Sequence, residues 1–126
     1  MTIQLRQICL VAHELESVID DLRSILGINS CYVDPGVGKF GLENNLMPIG
    51  RNFLEVVAPI QENTAGGRYL DKRGGDGGYM VIAQVENLIQ EQVRLANTSI
   101  RSVFADDRGN AKAIHLHPRD LSLIHI

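Results

Sequence analysis

Cysteine is scarce in this chain. Cys9 and Cys31 are the only two thiols among 126 residues. Neither belongs to a Cys-x-x-Cys pair, which excludes both a dense disulfide framework and a cysteine-built metal knuckle. Each sits in a short apolar stretch and reads as a buried thiol of a cytoplasmic protein. Charge of one sign is equally short: 12 basic and 15 acidic residues give a net charge of -3 and a pI near 5.7. Without a clustered Lys/Arg stripe, nucleic acid is not an expected partner. No apolar run approaches the roughly 20 residues that would cross a bilayer, so no membrane partner is expected either. The opening Met1-Thr2-Ile3-Gln4-Leu5-Arg6 lacks the basic segment and apolar core of a signal peptide.

What is present is an ordinary globular balance, 44% hydrophobic and 21% charged. A chain of this length predicts one compact domain or two fused half-size modules. Residues 5–11 are apolar and β-branched enough for a buried strand, with Gln7, Cys9 and Val11 on one face and Ile8, Leu10 and Ala12 on the other. Leu15, Val18, Ile19, Leu22 and Leu26 then fall at helical spacing, with Glu14 and Glu16 at the front and Gly27 as a left-handed stop. That amphipathic helix needs a sheet to lie on. A strand is expected at 30–33, a turn at Asp34-Pro35-Gly36, a strand at 39–42, a loop holding Pro48 and Gly50, and a strand at 52–57.

A polar, glycine-containing connection and a short helix at 68–73 lead to the glycine run at 74–78, where the pattern restarts. A strand at 79–85 precedes Asn87 as an N-cap and a helix carrying Leu88, Ile89, Val93, Ala96 and Ile100. Strands follow near 102–104 and 113–117. Placing Leu15 on Leu88 also places Gln7 on Met80, so the β-α-β-β order is an internal repeat. The expected organisation is one domain, with module one at 1–60, a linker at 61–77 and module two at 78–120. Its fold class is α+β, with paired β-α-β-β-β modules curving a mixed sheet around a shared cavity and the last strand missing or replaced.

Four segments carry a family resemblance: Gln7-Ile8-Cys9-Leu10-Val11-Ala12-His13-Glu14-Leu15, Phe53-Leu54-Glu55-Val56-Val57-Ala58-Pro59, Tyr69-Leu70-Asp71-Lys72-Arg73-Gly74-Gly75-Asp76-Gly77, and His115-Leu116-His117-Pro118. In this order and around the repeat, the chain resembles the vicinal oxygen chelate superfamily of glyoxalase, bleomycin-resistance and dioxygenase-like proteins, in its methylmalonyl-CoA epimerase-like flavour. The resemblance implies a central site with ligands projecting from the first and last strands of each module. Its first metal place falls on Gln7 and its second on Glu55, both oxygen donors suited to a hard divalent cation. The third falls on Met80, whose thioether suits such a cation poorly. A fourth would lie on a strand beyond Asp120.

That strand is not recognisable. Residues 121–126 can be back-translated to a transposon adapter used in sequencing libraries, and they are expected to be a non-native tail, His125 included.

Glu55 stands in an otherwise apolar run, where an ionised carboxylate is costly to bury without a cation or hydrogen-bond donors. It is the expected catalytic residue, as ligand or base. Cys9, Met80, Ile82, His115 and His117 are expected to line the cavity. The two histidines alternate with Ile114 and Leu116 and therefore share a face, a spacing at which both could reach one ion. His13, at the start of the helix, reads as a surface residue. The run at 74–78 feeds a strand and lacks the Lys-Ser/Thr of a phosphate loop, so it reads as a turn. Arg68, Lys72 and Arg73 read as a solvated helix face, with an anionic substrate group as the alternative.

These residues support a lyase or isomerase of glyoxalase or epimerase type, in which a divalent ion chelates substrate oxygens while a carboxylate moves a proton. They equally support a metal-independent module that binds or sequesters a small molecule, a reading favoured by the soft wall that Met80 would supply. A partner-binding role on the same scaffold is the third possibility. The expected partners are a small-molecule ligand and a second copy of the chain.

Overall fold

The computed structural model describes residues 2–109 and 111–121. Two compact units share the chain: one spans Gln4–Gln84, and the other comprises Thr2 and Ile3 with the described residues from Val85 onward.

The larger unit is built on a four-stranded sheet. Strand β1 (Ile3–Val11) is followed by helix α1 (Leu15–Leu26), a 3-10 helix (Pro35–Phe40), the hairpin of β2 (Leu42–Ile49) and β3 (Asn52–Pro59), helix α2 (Ala65–Arg73) and strand β4 (Gly77–Val85). The sheet order is β2-β3-β1-β4. Within it β1 runs parallel to β3, with Cys9 opposite Glu55 and Val11 opposite Val57. The β2–β3 pair is antiparallel, with Leu46 opposite Glu55 and Asn44 opposite Val57. Side chains alternate across a strand, so this register fixes two distinct faces. On one, Leu15 and Ile19 of α1 pack with Met47, Val56 and Ala58. On the other, Cys9, Val11, Leu42 and Val57 pack with Leu70 of α2, and Met80 and Tyr79 lie against them.

Helix ends follow the chemistry of their residues. Gly27 closes α1 at φ 68°, a conformation that costs a side-chain-bearing residue more than glycine. Thr64 caps α2 by accepting from the Gly67 N–H, and Gly74 closes it.

Three expectations in the first half are corrected. Residues 30–33 form no strand; Tyr32 makes an isolated bridge to Leu46. The strand expected at 39–42 gives way to the 3-10 helix, because Asp34 accepts from the Gly36 N–H and Pro35 pre-sets the first turn. Pro48 lies in β2 rather than in a loop. It is tolerated because β2 is an edge strand, where a missing N–H costs no ladder bond on the open side.

In the second unit helix α3 (Leu88–Ala96) is capped by Asn87, whose side chain accepts from the Gln90 N–H, and it ends four residues before Ile100. Its buried residues are Glu91 and Leu95, while Ile89 and Val93 are exposed. The Thr98 hydroxyl donates to the Leu95 carbonyl and accepts from the Ile100 N–H, turning the chain away from the helix. Strands β5 (Ser102–Asp107) and β6 (Lys112–Leu116) form an antiparallel pair, with an irregularity between Ser102 and Phe104. A 3-10 turn spans Pro118–Leu121, the last described segment; residues 122–126 of the expected tail lie outside the described residues. The element order β-α-β-β thus occurs in both halves.

Candidate functional site

The site is a buried polar triad on the sheet face opposite α1. Glu55 is 5% exposed, and both its carboxylate oxygens are engaged. Gln7 Nε2 donates to Oε1 at 2.8 Å, and Asn44 Nδ2 donates to Oε2 at 2.7 Å. Both partners are buried too, Gln7 at 9% and Asn44 at 2% exposed. Asn44 is held at its other end as well, its Oδ1 accepting from the Asp34 N–H at 3.0 Å. These two bonds fix which way its amide points, since a backbone N–H can only donate and a carboxylate can only accept. The backbone explains the convergence: Gln7 and Glu55 sit on adjacent parallel strands, and Asn44 lies two residues along β2 from the direct partner of Glu55.

Cys9, directly opposite Glu55 in the ladder, is fully buried. Burial first, then the negative charge of Glu55 and a hydrogen bond with it, push the Cys9 thiol far above the ordinary thiol range. The sulfur therefore stays an uncharged S–H, and its Sγ also lies 3.6 Å from the Leu10 carbonyl oxygen. Tyr79 is half-buried; burial and then Cys9 raise its hydroxyl pKa, and Arg68 opposes them. Its ring lies 5.3 Å from that of Tyr69.

Of the residues singled out in the sequence, Gln7, Cys9 and Glu55 come together here. Met80 packs against the apolar cluster to which Cys9 belongs. Ile82 is half-buried on β4. His115 and His117 belong to the second unit, where the His115 ring lies 4.9 Å from Phe104. His117 falls just past β6, its Nδ1 accepting from the Arg119 N–H at 3.2 Å. That bond occupies one of the two ring nitrogens that could meet an ion. Asn44 escapes a reading of the sequence, because asparagine argues against a strand and its segment reads as leading into a loop.

A divalent cation of the kind the fold implies finds a poor donor set in this triad. Glu55 is the one carboxylate among these residues, the Asn44 oxygen is taken by the Asp34 N–H, and Met80 offers only a thioether. Among the described residues no group of three or more His, Cys, Asp or Glu side chains is placed to hold a metal ion. The residues present do not fit the metal.

The fold is of the vicinal oxygen chelate type, with β-α-β-β as the element order of each half. Among solved structures, the chain is similar to hypothetical protein BH1468 from Bacillus halodurans C-125, with a TM-score of 0.87 at 16% identity over 98% of this chain and 90% of that one. It is similar also to a methylmalonyl-CoA epimerase in complex with methylmalonyl-CoA and NH4+, with a TM-score of 0.83 at 19% identity over 98% and 90%. A third is the methylmalonyl-CoA epimerase from Mycobacterium tuberculosis, with a TM-score of 0.79 at 21% identity over 94% and 81%. At these identities the likeness is one of fold. No protein-family profile and no curated protein sequence matches the chain. No helix among the described residues is long and apolar enough to cross a membrane.

Proposed function

We propose that this chain is a small-molecule isomerase of epimerase type, in which Glu55 moves a carbon-bound proton without a divalent metal. The observation that carries the reading is the fixed position of the Glu55 carboxylate, buried and held by Gln7 and Asn44. A general base works best when its oxygen is held in place before the substrate arrives, and two amide donors do this without taking all the lone pairs of the carboxylate. In the step, Glu55 takes the proton from a carbon next to a carbonyl and the C–H electron pair passes into the carbonyl as an enolate; a proton from water then adds to the opposite face of that carbon, which inverts it, and Glu55 releases its own proton to solvent. The substrate must carry its own electron sink, because the donor set does not fit a metal that would supply one. Solved structures of the same fold named as methylmalonyl-CoA epimerases make an acyl thioester the first substrate class to test.

The test is deuterium incorporation at the α-carbon of methylmalonyl-CoA in D2O, followed by NMR with chelator-treated protein. The wild type exchanges above the buffer rate, and Glu55→Gln loses at least about a hundredfold of that rate. No exchange by the wild type, or equal exchange by Glu55→Gln, overturns the reading. The second reading is a metal-independent binding module, favoured by Met80 beside the site. It predicts saturable thermal stabilisation by an apolar small molecule with no exchange at all.

A further inference from the structure

The 3-10 helix Pro35–Phe40 is tied down at both ends, and one of those ties runs to Glu55. At its start Asp34 caps the turn, its Oδ1 accepting from the Gly36 N–H at 2.8 Å, and Pro35 fixes the first backbone angle. At its end the Gly41 N–H donates to the Gly38 carbonyl, and the Gly41 carbonyl accepts from the Ile60 N–H at 2.9 Å, just past β3. Gly41 stands at φ 69°, and a Cβ there would lie 2.6 Å from Thr64 Cγ2, so the position has no room for a side chain. Between the two ties Val37 packs on the cluster of Cys9, Leu42 and Val57. Residues 34–41 thus form a strap held against the sheet face that carries the triad.

The capping turn at Asp34 reaches the carboxylate through three hydrogen bonds. While its side chain holds Gly36, the Asp34 backbone N–H donates to Asn44 Oδ1 at 3.0 Å, and the same amide group donates from Nδ2 to Glu55 Oε2 at 2.7 Å. An amide that accepts at its oxygen is a better donor at its nitrogen, since bonds in such a chain polarise one another. Asn44 is buried, so water does not compete for either end. Without the turn, the Asn44 amide is free to rotate, and Glu55 keeps a fixed donor only on Oε1, from Gln7. A carboxylate held at one oxygen pivots about that bond, and a misplacement of about 1 Å is enough to cost a reacting group about a hundredfold in rate.

We propose that Asp34 is a positioning residue for Glu55, acting through Asn44: its turn sets the direction of the Asn44 amide and, with it, the orientation of the carboxylate. The proposal rests on the reading of Glu55 as the base. Because Asp34 acts through the base, its effect falls on kcat rather than on KM.

Deuterium exchange at the α-carbon of methylmalonyl-CoA is measured against substrate concentration for the full chain and its variants, and the Asn44 side-chain amide signals are followed in 1H–15N NMR spectra. Asp34→Asn keeps an acceptor oxygen in place without the charge; it retains kcat within about twofold and leaves the Asn44 signals where they are. Asp34→Glu keeps the charge but moves the acceptor one carbon further out; kcat falls about tenfold, KM stays within about twofold, and the Asn44 signals shift. Asn44→Ala lowers kcat as well, and adding Asp34→Glu to it costs nothing more, because the link is already cut. The proposal is overturned if Asp34→Glu matches the wild type, if Asp34→Asn loses as much as Asp34→Glu, or if Asp34→Glu and Asn44→Ala are fully additive. A wild type that shows no exchange is a failure of the proposed reaction and not of the link, which the NMR spectra then decide. Asn44 signals unmoved by Asp34→Glu overturn it, and signals shifted by Asp34→Glu but not by Asp34→Asn uphold it.

Discussion

Replacing Asn44 by leucine tests whether the buried triad is a coupled unit. The substitution nearly conserves volume but deletes both ends of the bridge, the 2.7 Å bond to Glu55 and the 3.0 Å bond from the Asp34 N–H. A hydrogen bond to a charged group contributes about 1.5–3 kcal/mol, and a half-buried N–H left without a partner costs about another 1 kcal/mol. The added apolar burial of leucine returns about 1 kcal/mol. Asn44→Leu is therefore expected to destabilise the chain by about 1.5–3 kcal/mol. With a urea slope of about 1.5 kcal/mol per molar, the midpoint falls by roughly 1–2 M. Glu55→Leu should cost a similar amount, since it strands the Gln7 and Asn44 amides. The double variant removes donor and acceptor together, so it should lose less than the sum of the two by at least about 1 kcal/mol. Strict additivity in that cycle, or a midpoint for Asn44→Leu within error of the wild type, would refute the coupling.

Calorimetric titration of the chelator-treated protein with Mn²⁺, Co²⁺ or Zn²⁺ near neutral pH is expected to give weak binding or none; a sub-micromolar one-to-one isotherm abolished by Glu55→Ala would show that the triad rearranges to take a metal. Because the Cys9 thiol is pushed up in the folded chain, its contribution to stability is complete below the unfolded thiol pKa of about 8.5. It declines as the pH rises above that value, when the unfolded chain releases a proton that the folded one keeps. Urea midpoints measured from pH 8 to 10 should fall less steeply in Cys9→Ala than in the wild type, and parallel slopes would contradict the burial argument. Half-buried Cys31 should react with a thiol reagent before Cys9 does.

The larger unit was legible wherever one periodicity dominated. In β1, alternation placed Gln7, Cys9 and Val11 on one face, and the helix after it was marked by five apolar residues at helical spacing and by Gly27. Glu55 stood out because a carboxylate inside an apolar strand demands a partner. The stretch from Asp34 to Ile49 resisted for identifiable reasons. Asp34-Pro35 serves a turn and a helix start equally well, and the residues after the proline decide between them. Strand β2 carries two asparagines and a proline, all poor strand formers, and is held by pairing to β3 along its whole length. Asn44 could be recognised only once that pairing was known, since its role depends on a neighbour eleven residues away.

The parallel pairing of β1 with β3 also sets an order of events in time. The β2–β3 hairpin closes through a two-residue turn, whereas the pairing of Gln7 with Phe53 must close a loop that holds α1, the 3-10 helix and β2. Local contacts form in microseconds, while joining distant strands must first overcome the entropy of closing a long loop. On a ribosome, the first strand of the chain therefore waits, its apolar face without its sheet, until β3 has emerged. The triad, which needs β1, β2 and β3 together, is among the last features of the larger unit to form.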